Sequence, residues 1–120
     1  MSLEVEKSEV GVRFDEGKIR YDLIPPEWIT ALANILTMGA KKYADRNWEK
    51  GMAHSRIVGA LFRHLFARLR GEFYDEESKF PHMAHVAWNA LALMSYDLRG
   101  LGEKNLPLEV SAQATKGLNA

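Results

Sequence analysis

Two histidines and an asparagine stand at helical spacing in the second half of the chain. His82, His85 and Asn89 are three and four residues apart, so on a helix they occupy one narrow stripe on successive turns. Imidazole binds transition ions and exchanges protons near neutral pH. Because an unpaired buried polar group costs about 1–3 kcal/mol, this stripe requires polar partners from neighbouring segments.

The nearest partners in the sequence are His64 and a polar segment, Glu72 to Lys79, that carries four acids. If the flanking helices form an antiparallel hairpin, these groups converge near one end. One interpretation is a metal or phosphate site, in which a divalent ion clamps phosphate oxygens and activates water. The other is a structural network of histidine–acid pairs that holds the hairpin together. The spacing alone leaves both interpretations open.

Cationic side chains suited to phosphate binding occur in two further places. Lys41, Lys42 and Arg46 precede Trp48, which offers a plane for base stacking. Arg63, in a later predicted helix, carries a forked guanidinium that matches phosphate oxygens. An ordinary basic turn around a core tryptophan, and a solvated helix face, are the alternatives for these two groups.

Apolar residues recur at helical spacing in three segments, and no segment alternates as a half-buried strand would. Prolines, a serine cap and glycines predict where the helices begin and end. The first helix follows Pro25 and Pro26, the second runs from Ser55 to Gly71, and the third runs from Pro81 to Gly100. Apolar stripes are expected to face the core, with Val58, Phe62, Leu65, Phe66 and Leu69 in the second helix and Met83, Ala87, Leu91, Met94 and Leu98 in the third.

The predicted fold class is therefore all-α, a small antiparallel helical bundle. With 120 residues, the chain has the size of a single domain. That domain is expected to span residues 1–100 and to include an irregular N-terminal arm, residues 1–24. Residues 101–120 are aperiodic, which predicts a flexible C-terminal tail.

The composition excludes several classes of protein. No cysteine is present, so disulfide scaffolds and cysteine-based zinc sites are ruled out. The 16 basic and 16 acidic residues balance, which gives no support for binding a nucleic-acid polymer. The sequence shows no secretory signal and no apolar run near the roughly 20 residues that span a bilayer, so a cytoplasmic protein without a membrane partner is expected. A third helix that is apolar on most sides predicts a homodimer or a higher oligomer.

Three segments of the chain resemble a known phage and prophage family. They are FDEGKIRYDLIPPE, MGAKKYADRNWEKG and RHLFARLRGEFYDEESKFPHMAHVAWNALAL, and the resemblance covers about residues 13–99. The family is the dATP/dGTP diphosphohydrolase N-terminal domain family, with kinship to the all-α, MazG-like nucleotide pyrophosphohydrolases. The resemblance implies hydrolysis of deoxypurine triphosphates to monophosphate and pyrophosphate, in the cytoplasm of a bacterial host. It also implies an oligomer that uses a divalent metal, commonly Mg²⁺ or Mn²⁺.

One departure concerns the metal ligands. MazG-like enzymes bind metal through an ExxE pair on one helix and an ExxD pair on the next, whereas here the second helix has no ExxE. Where ExxD is expected, the chain reads His82-Met83-Ala84-His85. The relatives' ligands are therefore not carried over one by one. Histidine ligands would shift the choice of ion from Mg²⁺ toward Mn²⁺, Zn²⁺ or another transition metal.

The leading hypothesis is a metal-dependent nucleotide pyrophosphohydrolase. Its expected metal ligands are acids of the loop and histidines of the third helix, namely Glu72, Asp75, Glu77, His82 and His85. His64 and Glu72 are the expected catalytic residues. The expected substrate-binding residues are Lys41, Lys42, Arg46 and Arg63 at the phosphates and Trp48 and Asn89 at the base or sugar. The alternatives are a non-catalytic nucleotide-binding or sequestering phage protein, and a helical interaction module.

Overall fold

Three α-helices form most of the computed structural model, which describes residues 9–109. They are α1 (Pro26–Lys42), α2 (His54–Leu69) and α3 (His82–Arg99), with short 3-10 turns at Tyr21–Leu23 and Asn47–Lys50. Within residues 9–109 there is no β-strand, only an isolated antiparallel bridge between Tyr74 and Pro81. The all-α prediction is confirmed. No helix in the described range combines the length and apolarity that crossing a membrane requires.

The helices begin and end at residues that suit the unpaired backbone groups and the backbone conformation found at helix ends. Proline stands before or at the start of α1 and α3, where its missing N–H is no loss. Gly100 ends α3 in the left-handed conformation, with φ 66°. The prediction that Ser55 is the N-cap of α2 is wrong, because α2 begins at His54 and its N-cap is Ala53. Ser55 instead lies in the first turn, where its backbone N–H donates to Oδ1 of Asn105 over 2.9 Å.

The third helix is central, because α3 packs against both α1 and α2. Small residues such as Ala67, Ala84 and Ala92 are buried at these contacts and allow the helix backbones to approach closely. Tyr96 is completely buried, and its hydroxyl donates to the carbonyl oxygen of Trp48 over 2.6 Å. This bond ties α3 to the loop between α1 and α2.

The buried face of α3 is not the apolar stripe that the sequence predicts. His82, His85 and Asn89 are buried, whereas Leu98 is 78% exposed. Other members of the two predicted stripes also lie on the surface, namely Phe62, Phe66, Leu69, Met83, Ala87, Leu91 and Met94. Those core assignments are wrong, because the polar stripe turns toward the partner helices and the large apolar side chains turn outward.

The segment after α3 contacts the beginning of α2. The backbone N–H of His54 donates to the carbonyl of Glu103 over 3.0 Å, and the side-chain amide of Asn105 donates to Oγ of Ser55 over 2.8 Å. The tail expected from residue 101 therefore starts as a hydrogen-bonded segment that satisfies the first turn of α2. The rest of that tail, residues 110–120, and the first eight residues of the arm lie outside the described residues.

Candidate metal centre and adjoining cavity

The loop between α2 and α3, residues 70–81, turns tightly and brings one of its acids, Asp75, back toward the helices. The backbone N–H of Asp75 donates to the carbonyl of Phe80 over 2.8 Å, and the N–H of Lys79 donates to the carbonyl of Asp75 over 2.7 Å. Lys79 adopts a positive φ of 67°. The N–H of His82, the first residue of α3, donates to the carbonyl of Phe73 over 2.8 Å. The backbone thus places Asp75 beside the helix ends.

Two histidines and one aspartate come together at this end of the hairpin. His64, Asp75 and His82 each offer one ligand atom, and the three atoms all lie within 4.8 Å of one another. Nδ1 of His64 and Nδ1 of His82 are 2.9 Å apart. His82 is buried and the other two are half-buried. We call these three residues the triad.

His85 and Ser78 support the triad from one side. The ring of His85 stacks on that of His64, with centroids 4.2 Å apart and planes 6° apart. Nε2 of His85 lies 2.7 Å from Oγ of Ser78 and 3.7 Å from Oδ2 of Asp75. The backbone N–H of Ser78 also donates to that carboxylate oxygen over 2.9 Å. One serine therefore orients both His85 and Asp75.

The local environment favours the protonation states that metal ligands need. Burial lowers the pKa of His64, and the neighbouring His85 lowers it further. Burial likewise lowers the pKa of His85. Burial on its own would raise the pKa of Asp75, but hydrogen bonds from Ser78 and the nearby histidines lower it overall. Neutral imidazoles beside an ionised carboxylate are the forms that coordinate metal, so these residues fit a divalent ion.

A cavity of about 740 Å³ adjoins the triad, and His64 and His85 form part of its wall. This volume lies within the range of small-molecule sites. Trp48, Trp88 and Asn89 also line it. The two indole rings meet edge to face with centroids 6.2 Å apart, and the side-chain amide of Asn89 donates to the backbone carbonyl of His85 over 2.8 Å. The cavity thus combines aromatic walls with a few polar groups.

Two of the predicted metal ligands do not reach the triad. Glu72 is exposed and pairs with Arg70 over 3.1 Å. Glu77 is also exposed, and it lies 3.4 Å from Nζ of Lys42. His85 contacts the triad without belonging to it. His64, predicted as a catalytic base or support, lies instead among the candidate ligands.

The predicted substrate-binding residues also separate into two groups. Arg46, Trp48 and Asn89 line the cavity, whereas Lys41, Lys42 and Arg63 are exposed and lie outside its lining. The sequence interpretation missed Trp88, although its spacing of three residues from His85 gave a usable signal. It also missed Ser78, for which the sequence carries no signal, because the loop backbone alone brings this side chain to His85.

The fold and the site together define a class, namely an all-helical protein with a candidate metal centre beside a cavity of small-molecule size. The family model described as dATP/dGTP diphosphohydrolase, N-terminal, matches residues 8–105, and the chain belongs to that family. The chain is 34% identical over 77 residues to a protein of Salmonella phage PMBT28 named dATP/dGTP diphosphohydrolase. The match covers 64% of this chain and 26% of that relative, so the chain spans about a quarter of the relative's length. No solved structure matches the chain.

Proposed function

We propose that this chain hydrolyses deoxypurine nucleoside triphosphates to monophosphate and pyrophosphate, with a divalent ion held by the triad. The observation that carries the proposal is the position of His64, which belongs both to the triad and to the cavity wall. An ion bound there lies next to the space that a nucleotide would occupy. The name of the phage relative, dATP/dGTP diphosphohydrolase, supports the choice of substrate.

The cavity provides contacts that suit a nucleotide. Trp48 and Trp88 offer aromatic surface for a base. Asn89 uses its amide nitrogen on the carbonyl of His85, so its amide oxygen is the atom that remains to accept a hydrogen bond from a base or sugar. Arg46 lines the same cavity and supplies positive charge for the phosphates, although Glu49 pairs with it over 3.1 Å.

The residues divide the chemistry in a way that differs from the sequence hypothesis. A bound divalent ion would neutralise phosphate oxygens and acidify a water molecule. We assign His64, Asp75 and His82 to holding that ion. Burial lowers the pKa of His85 and so favours its neutral ring, and we assign it the role of proton acceptor for the attacking water, with Ser78 fixing its ring. Glu72 has no role in this scheme, since it lies in an exposed ion pair.

Pyrophosphate release tests this proposal. The purified chain is incubated with each of the four deoxynucleoside triphosphates and either Mn²⁺ or Mg²⁺. We expect turnover of dATP and dGTP above that of the pyrimidine nucleotides. Asp75→Asn, which keeps the side-chain shape, should lower turnover about a hundredfold or more, whereas Glu77→Gln in the same loop should not. Folded protein that turns over none of the four nucleotides with either ion would disprove the hydrolase proposal.

A second candidate function is nucleotide binding without hydrolysis. It is favoured by the presence of a single carboxylate in the triad, where MazG-like enzymes are expected to use several. Calorimetry distinguishes the two functions. Tight binding of dATP or dGTP, with the nucleotide recovered intact after incubation with Mn²⁺ or Mg²⁺, supports a sequestering protein and contradicts the hydrolase.

The proposal also includes self-association in the host cytoplasm, where deoxynucleoside triphosphates are found. Large apolar side chains are exposed on the outer faces of α2 and α3, among them Phe66 and Leu98. Exposed apolar surface of this kind often marks a protein–protein contact. A second copy of the chain is the partner that the proposal assigns to it.

A further inference from the structure

The donor atoms of the triad differ in kind from those that Mg²⁺ prefers. Two of the three are imidazole nitrogens, from His64 and His82, and one is a carboxylate oxygen, from Asp75. Mg²⁺ takes oxygen ligands and keeps several of its waters. Imidazole nitrogen suits the first-row transition ions and Zn²⁺, for which affinity rises from Mn²⁺ through Co²⁺ to the later members of the series.

The spacing of the two nitrogens also fits a shared ion. Two ligand atoms about 2.1 Å from an ion, with their bonds at right angles, stand about 3 Å apart. The Nδ1 atoms of His64 and His82 are 2.9 Å apart, and the carboxylate oxygen completes a group within 4.8 Å. A hydrogen bond between neutral rings would give a similar distance, and metal titration distinguishes the two cases.

Each donor side chain is held in place by contacts with its surroundings. The ring of His64 is stacked on His85. His82 is fixed through its backbone N–H, which donates to Phe73. Asp75 accepts from the backbone N–H of Ser78 with Oδ2. Such supporting contacts orient ligands before the ion arrives.

Three protein ligands beside an open cavity are typical of a catalytic rather than a structural ion site. We infer that the triad binds one first-row transition ion or Zn²⁺ in preference to Mg²⁺, with its remaining coordination positions on the cavity side for water or phosphate oxygen. This inference deepens the proposed function and rests on it for the role of the open positions. Ion binding itself is measured without any nucleotide.

The experiment is a titration of chelator-treated full chain with Co²⁺, followed by visible absorption, together with calorimetric titrations with Mn²⁺, Zn²⁺ and Mg²⁺. We expect one Co²⁺ per chain, detected as a change in the visible absorption of Co²⁺ when imidazole nitrogens replace its water ligands. Mn²⁺ should bind more tightly than Mg²⁺ by on the order of tenfold or more. Asp75→Asn and His82→Ala should lose the Co²⁺ signal, and Glu77→Gln, the control from the same loop, should keep it.

Thermal unfolding of each variant shows whether a lost signal reflects lost ligands or lost folding, and Asp75→Asn keeps the test available if His82→Ala does not fold. Folded wild-type chain that gives no Co²⁺ signal, or that binds Mg²⁺ as tightly as Mn²⁺, would overturn the inference and assign the His64–His82 contact to a hydrogen bond. Co²⁺ binding without pyrophosphate release would leave the inference standing and remove the hydrolase proposal. Hydrolysis with Mg²⁺ in a chain that binds no Co²⁺ would overturn the inference and leave the hydrolase proposal standing.

Discussion

At the scale of single residues, Ser78 has the widest influence on the site. Its hydroxyl contacts Nε2 of His85, and its backbone N–H contacts the carboxylate of Asp75. Substitution of the side chain removes the contact with His85 and a side-chain hydrogen bond to Asp75, but leaves the backbone contact to Asp75. The hydroxyl of Ser78 can therefore be removed while Asp75 keeps its backbone hydrogen bond.

Ser78→Ala is expected to lower kcat for dATP by about tenfold to a hundredfold, because His85 loses the group that fixes its ring. Affinity for the ion should change much less, since the backbone contact to Asp75 remains. Ser78→Thr keeps a hydroxyl and should recover most of the activity. Steady-state kinetics and the Co²⁺ titration measure the two quantities separately. Equal kcat in Ser78→Ala and wild type would show that the contact with His85 has no part in the reaction.

Tyr96 provides a prediction on pH, because burial raises the pKa of its phenol above the ordinary 10.0. The folded state holds this proton more tightly than the unfolded state. Its contribution to stability is therefore complete below pH 10 and is lost as the pH rises further. Between pH 10 and the raised pKa of Tyr96, the free energy of unfolding should fall more steeply in wild type than in Tyr96→Phe, by up to about 1.4 kcal/mol per pH unit. Urea unfolding at a series of alkaline pH values measures both slopes, and identical slopes would contradict the prediction.

Part of the site followed from the sequence because helical spacing is a local property. The period of the helix was enough to predict the stripe of His82, His85 and Asn89. An antiparallel hairpin was enough to predict that this stripe approaches His64. The sequence did not identify which acid of the loop joins the triad. That outcome depends on the path of the backbone through Lys79, whose φ is positive. That path turns Asp75 inward and leaves Glu77 at the surface. No pattern of residue types specifies such a turn.

At the scale of elements, the beginning of α2 depends on a distant part of the chain. The segment after α3 supplies a carbonyl and a side chain to His54 and Ser55. Gly102 belongs to this segment, with φ +80°, and an added Cβ there would overlap the carbonyl oxygen of Met52 and crowd the ring of His54. Close backbone approach and positive φ together require glycine at this position.

Gly102→Ala is therefore expected to destabilise the fold. Gly100→Ala is the matched control, because Gly100 also has a positive φ, +66°, but a Cβ added there would meet no atom within 4 Å. Gly100→Ala should lower the free energy of unfolding by about 1 kcal/mol through backbone strain alone. Gly102→Ala should cost at least about 1–2 kcal/mol more, since the backbone of Met52 must move. Urea unfolding measures both, and equal losses would mean that the segment is not held against α2.

The helices themselves were predictable from the sequence, but the side that each helix buries was not. Proline and glycine mark the limits of α3 closely. A stripe of large apolar residues normally identifies the core face, yet in α3 this face is exposed and small residues with histidines fill the contact. Apolar periodicity does not distinguish a face that packs within one chain from a face that meets another chain.

At the scale of the whole molecule, exposed apolar faces on α2 and α3 are the main unexplained feature. Phe62 and Phe66 are stacked, with ring centroids 5.8 Å apart, and they are 48% and 53% exposed. A charge placed here would be costly to bury between two chains. The same charge on a chain that stays monomeric would have little effect.

Phe66→Glu is accordingly expected to shift the chain from dimer or higher oligomer to monomer, measured by light scattering during size-exclusion chromatography over a range of concentrations. Leu23→Glu, which places the same charge at a residue of similar exposure in the N-terminal arm, serves as the control and should leave the oligomer intact. Circular dichroism confirms that both variants keep their helices. Wild-type chain that runs as a monomer at every concentration would contradict self-association. An oligomer that survives Phe66→Glu would instead place the contact on another face, since a buried and unpaired carboxylate in a tight interface costs several kcal/mol.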